Sequence, residues 1–177
     1  VIDHVIPPKP TDIATNDEAR KAWKVEARTA RNNQANEIRK SCRTRMTMNV
    51  VREFEGKDFY IPWSFDYRGR TYPIPAFLTP QDTDFGKSLL NFSEGGEVNH
   101  DAMSWLAFQV ATTYGLDKAS MSERLAWVAK RENILLITRV ATDPIGNISD
   151  WEAADEPWQF LAACEEYYAV VLAVSRL

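Results

Sequence analysis

The chain has 177 residues, 45% apolar and 26% charged, an ordinary balance for a globular fold of one domain or two small ones. Six Trp, six Tyr and eight Phe exclude a disordered chain, and a net charge of −4 gives no global attraction to a polyanion. Two cysteines far apart, Cys42 and Cys164, with only His4 and His100 beside them, argue against a zinc site, and there is no signal-peptide pattern or apolar run of the ~20 residues that a membrane helix needs.

In chain order, residues 1–18 are expected to be an extended lead-in, because Pro7, Pro8 and Pro10 favour polyproline geometry. Asn16 or Asp17 is a suitable N-cap. From Glu18 to Glu53 there is neither Pro nor Gly, and Ala19, Trp23, Ala27 and then Ala35, Ile38, Cys42, Met46 and Val50 recur at helical spacing. This predicts one long helix over 19–56, or two with a bend at Asn32-Asn33, closed by Gly56.

Residues 58–78, aromatic, β-branched and broken by three prolines, predict short antiparallel strands within a segment 57–93. A loop at 79–84 and a short helix over 86–92 complete that segment. Residues 94–177 read as a helical subdomain. One helix opens at Asn99 or His100 and stops at Gly115, another runs from Met121 with Leu125, Val128, Ile134, Leu135 and Ile137 buried, and a last one starts at Pro157. Trp105, Trp127, Trp151, Trp158, Tyr167 and Tyr168 are expected in its core. The fold class is therefore α+β, mostly α.

The charge is unevenly placed. Residues 20–52 carry ten Lys or Arg against Glu26 and Glu37, whereas residues 53–177 carry ten against nineteen Asp or Glu. The basic helix, with Arg39 and Arg43 on it, is either a phosphate-contacting rod or a solvated face. The run Asp66-Tyr67-Arg68-Gly69-Arg70-Thr71-Tyr72 places two arginines and a carboxylate in a strand-like stretch. On a strand, Asp66, Arg68, Arg70 and Tyr72 would share a face, with Asp66 holding one guanidinium bidentately, Gly69 allowing close backbone approach and Tyr72 stacking on a base or sugar. The competing reading is a surface ion pair in a hairpin. Asp82, Asp84, Asp150, Glu152, Asp155, Glu156, Glu165 and Glu166 are expected at the surface, not presented from a strand as metal ligands would be.

These residues resemble a family. Asp66 to Tyr72, preceded by Ile61-Pro62-Trp63-Ser64-Phe65, is similar to the D-x-x-G-R element of the phage-type single-subunit DNA-directed RNA polymerases, the podovirus members above all. Pro8-Lys9-Pro10-Thr11-Asp12-Ile13 with Ala22-Trp23-Lys24, Lys87-Ser88-Leu89-Leu90, and Pro157 to Cys164 with Glu166-Tyr167 resemble the flanking elements in the same order. The resemblance implies a thumb arm at 19–56, a first palm segment at 57–93 and a helical palm insertion at 94–177. It also implies that Arg68, Arg70, Tyr72 and Lys87 lie along the channel for DNA template and RNA product. The Mg²⁺ and catalytic aspartates of the intact enzyme would come from the remainder of the polymerase chain, beyond Leu177, and the chain reads as an excised, inactive piece. The cytoplasm of a bacterial host is the expected location. A stand-alone nucleic-acid-binding module and a helical protein-interaction scaffold are the alternatives.

Overall fold

The computed structural model describes residues 3–172 and divides the chain into two compact units, Val1–Gly56 and Lys57–Leu177.

The first unit is built on α1, Asp17–Phe54, a continuous helix of 38 residues with no bend element at Asn32-Asn33. At ~1.5 Å per residue it is about 57 Å long. Asn16 starts it: the side-chain oxygen accepts from the N–H groups of Glu18 and Ala19, and Asp17 and Glu18 place negative charge at the positive end of the helix dipole. The chain leaves the helix through Gly56 at φ +69°. The lead-in is extended up to Pro10 and then forms a turn over 11–15, because the Asp12 carbonyl accepts from the N–H of Thr15 and of Asn16.

The lead-in is fastened back onto α1. The Trp23 indole N–H donates to the Pro7 carbonyl at 2.8 Å, the His4 N–H donates to Gln34 Oε1 at 2.8 Å, and the Lys9 ammonium sits over the Trp23 ring. Ala19, Trp23, Ala27, Ala30 and Gln34 form the buried and half-buried line of the first half of the helix. In the second half the predicted apolar series fails as a buried face: Ile38 and Met46 are 48% and 51% exposed.

The second unit opens with a small antiparallel hairpin, β1 (Trp63–Phe65) and β2 (Thr71–Pro73), in the register Trp63↔Pro73, Ser64↔Tyr72, Phe65↔Thr71. A short helix α2, Asp84–Ser88, follows, displaced toward the N-terminus from the expected 86–92 because Thr83 supplies the cap. Then come α3 (His100–Tyr114), α4 (Met121–Val128), α5 (Arg131–Thr142), α6 (Ile148–Trp151) and α7 (Pro157–Tyr167), which runs into a π-helical turn, Tyr168–Leu172.

The caps follow the sequence: Asn99 accepts from the Ala102 N–H, Ser120 and Glu123 form a reciprocal capping box, and Gly115 ends α3 at φ +139°. The core lies where α3, α4, α5 and α7 meet. Val110, Ala111, Ile137, Val140, Phe160 and Cys164 are wholly buried there, and burial pushes the Cys164 thiol pKa up.

Three expectations for this unit need correction. The segment from Met121 is two helices, α4 and α5, not one. At the break the buried Asn133 side-chain amide donates to the Trp127 carbonyl at 2.7 Å, which also accepts from the Lys130 N–H at 3.2 Å. The α5 face inward is accordingly Asn133, Ile137 and Val140, and Leu135 is 51% exposed. Trp105 is not core: it is 61% exposed and makes an edge contact with Phe108. Trp158 is also substantially exposed, whereas Trp151 is buried.

Candidate nucleic-acid interface

The Asp66–Arg70 run is the turn of the hairpin. The Gly69 N–H donates to the Asp66 carbonyl at 3.0 Å, and the Asp66 N–H donates to the Arg70 carbonyl at 2.9 Å. Gly69 has φ +77°, so the run is a tight turn followed by a left-handed residue, a common way to reverse a hairpin. Its glycine is explained by that backbone conformation, since a Cβ there would meet nothing within 4 Å.

This corrects the strand-parity reading. Asp66 Oδ1 accepts from the backbone N–H groups of Arg68 and Arg70, at 2.8 and 2.9 Å, so the carboxylate organises the turn. Among the described residues its remaining approach to a guanidinium is Arg68 Nε at 3.7 Å from Oδ2, which is not a bidentate bond. Arg68 leans over the Tyr67 ring, and Arg68, Arg70, Tyr67 and Tyr72 are all exposed. Among the described residues none accepts a hydrogen bond from the Arg70 guanidinium. With the carboxylate held by the backbone, the turn displays cations and aromatic faces outward, the pairing that suits phosphates and bases.

Lys87 lies apart from that turn, in the last turn of α2, with Nζ 3.8 Å from Glu156 Oε1. Helix α2 is tied to α7. Asp84 Oδ2 accepts from the Trp158 N–H at 2.8 Å, and Oδ1 accepts from the Gln159 N–H at 3.0 Å and its side-chain amide at 3.1 Å. Phe85 meets Trp158 edge-on.

Sequence reasoning missed Asp84 and Asp82. Asp84 caps a helix more than seventy residues away. Asp82, taken for a surface residue, is 7% exposed and accepts from the N–H groups of Leu78 and Thr83. The signal for Asp82 was Gly86 at i+4, where any Cβ would fall 2.4 Å from the Asp82 carboxylate.

Arg39 and Arg43 belong to the first unit and are exposed on α1, Arg39 donating to Asn36 Oδ1 at 3.1 Å. Charge is sorted around this helix. At about 100° per residue, Lys21, Lys24, Arg28, Arg31 and Arg39 fall within an arc of about 80°, which Glu18, Glu26 and Glu37 avoid. Arg43 borders that arc. The acids of the arc, Asp17 and Glu53, stand at the helix ends.

Among the described residues no group of three or more His, Cys, Asp or Glu is placed to hold a metal ion, and no helix is long and apolar enough to cross a membrane. Three acids of the hairpin and α2 region serve backbone groups, Asp66 the turn, Asp82 the 78–83 loop and Asp84 the start of α7, and Glu156 stands beside Lys87. They do not fit a pair of Mg²⁺ ions about 4 Å apart, which needs convergent uncommitted carboxylates.

A sequence model of the family described as DNA-dependent RNA polymerase matches residues 96–175. The mitochondrial DNA-directed RNA polymerase of Neurospora crassa is 32% identical over 167 residues, covering 94% of this chain and 12% of that protein. The DNA-directed RNA polymerase of Enterobacteria phage K11 is 35% identical over 167 residues, covering 93% of this chain and 18% of that protein. The T7 RNA polymerase of Escherichia phage T7 is 33% identical over 166 residues, with the same two shares. The chain thus spans between 12% and 18% of the length of these relatives. By sequence it corresponds to one segment of a phage-type DNA-directed RNA polymerase.

Proposed function

We propose that this chain supplies part of the nucleic-acid grip of a podovirus-like polymerase that transcribes DNA in the cytoplasm of a bacterial host. In this reading α1 is the thumb arm, residues 57–93 are the first palm segment and residues 94–177 are the palm insertion. Arg68, Arg70 and Tyr72 on the hairpin, with Lys87 on α2 and Arg39 and Arg43 on α1, contact the DNA template and the RNA–DNA hybrid. Asp66 and Gly69 shape the turn that presents them. Nucleotidyl transfer with Mg²⁺ belongs to the remainder of the polymerase, which is also this chain's protein partner.

The observation that carries the proposal is the hairpin turn. Its one carboxylate is held by two backbone N–H groups, so Arg70 faces solvent with no described acceptor of its own. An arginine displayed in this way on a short, hydrogen-bonded hairpin is available to a phosphate.

Two measurements test the reading. In the intact enzyme, Arg70→Ala is expected to shorten the lifetime of the elongation complex, at a cost of about 1–3 kcal/mol for a hydrogen bond to a charged group. An unchanged lifetime removes Arg70 from the interface. The 177-residue chain alone should bind an RNA–DNA hybrid with an affinity that falls roughly tenfold or more between about 50 and 200 mM salt, and should synthesise no RNA. Flat salt dependence favours a protein-interaction scaffold, and templated synthesis by this chain refutes the division of labour.

A further inference from the structure

Glu156 occupies the N-cap position of α7, yet its side chain makes no capping hydrogen bond. Asp84 performs that task from across the chain, taking the N–H groups of Trp158 and Gln159 with its two oxygens. The Glu156 carboxylate is left over and stands 3.8 Å from the Lys87 ammonium, with the two side chains 42% and 35% exposed. That distance is longer than a hydrogen bond, so the pair is attracted without a directional lock, and an exposed pair of this kind shifts an equilibrium by about fivefold at most. A phosphate, which can approach to hydrogen-bonding distance with a full charge, displaces such a partner readily.

We propose that Glu156 is a competing counter-ion for Lys87. It holds the ammonium while the channel is empty and yields it to a backbone phosphate when nucleic acid arrives, so Glu156 lowers the affinity of this chain for nucleic acid. The inference rests on Lys87 being a phosphate contact. Asp84 has an indirect part: by capping α7 it keeps the Glu156 carboxylate off the helix end, and by tying α2 to α7 it keeps Lys87 within reach of it.

The test uses the full 177-residue chain and a short fluorescein-labelled RNA–DNA hybrid, read by anisotropy at low salt. Glu156→Gln should bind about two- to fivefold more tightly. Lys87→Ala should bind more weakly and lower the salt slope by about one. In the Lys87→Ala background, Glu156→Gln should bring no gain. Glu152→Gln removes the same charge from an exposed site and controls for net charge; it should leave binding unchanged. If Lys87→Ala weakens binding while Glu156→Gln does nothing, the competition is refuted and Lys87 remains a contact. A gain from Glu156→Gln that persists without Lys87, or that Glu152→Gln reproduces, reduces the effect to bulk charge and also refutes it. If Lys87→Ala changes nothing, the contact itself is refuted, and the competition with it.

Discussion

The hairpin at 63–73 and the helical subdomain at 100–172 use arginine to opposite ends. In the subdomain, Arg124 is 7% exposed and each of its three guanidinium nitrogens donates to its own chain. Nε donates to the Ala119 carbonyl at 2.9 Å, one terminal nitrogen to Thr112 Oγ1 at 2.7 Å and the other to the Asp117 carbonyl at 2.7 Å, with the Phe108 ring beneath. It joins the end of α3 to the start of α4. In the hairpin, Asp66 is the candidate acceptor, but backbone N–H groups have taken it, and Arg70 points outward. Residue type does not separate a structural arginine from a ligand-facing one; the location of its acceptors does.

The largest expected effect lies in the subdomain. Phe160 is wholly buried and its ring lies 5.3 Å from that of Tyr114. Phe160→Ala should destabilise the second unit by about 3–5 kcal/mol in urea melts followed by circular dichroism. At a temperature where the variant is still folded, its salt slope for an RNA–DNA hybrid should match that of the parent. A changed slope would mean that the subdomain core also shapes the interface, and the contrast between the two regions would break.

A paired substitution sharpens the contrast at the level of single side chains. Arg124→Met removes three hydrogen bonds and leaves two carbonyls and a hydroxyl short of a partner, a loss of about 2–3 kcal/mol in stability with no change in salt slope. Arg70→Ala should do the reverse, keeping stability within about 0.5 kcal/mol and weakening hybrid binding. Equal effects of the two on either readout would show that acceptor location does not sort these arginines.

The parts of this molecule that were legible in the sequence are those governed by local chemistry. Asn16, Asn99 and Gly115 mark helix ends because the groups they satisfy lie within a few residues. The proline- and glycine-free stretch from 18 to 53 gave α1 in one piece.

What was not legible depends on distant partners. Asp84 looks like an ordinary loop acid until α7 is folded beside it, and Asn133 looks like an exposed helical residue until its amide reaches the Trp127 carbonyl at the end of α4. The parity argument for 66–72 failed for a different reason. Alternation holds only along a strand, and Gly69 in a left-handed conformation turns the chain before Arg70. Arg68, Arg70 and Tyr72 are exposed in the hairpin, and the role of Asp66 changed from guanidinium holder to backbone organiser.

The smallest expected effect separates the two reasons for Gly69. If the residue is needed for its φ of +77°, Gly69→Ala strains the turn by about 1 kcal/mol, while Gly69→Asn costs less because Asn tolerates left-handed backbone. A Cβ at this position would stand in open space, with nothing within 4 Å, so neither side chain clashes within the chain itself. Hybrid binding should then follow the order glycine, asparagine, alanine. If glycine is needed because nucleic acid passes close to the backbone, both variants should bind poorly, and Asn, the larger, should be the worse. The ranking of Asn against Ala therefore decides between turn geometry and close approach without requiring either variant to be fully inactive. An asparagine variant that binds nearly as well as the parent would place the ligand on the Arg70 side chain and away from the Gly69 backbone.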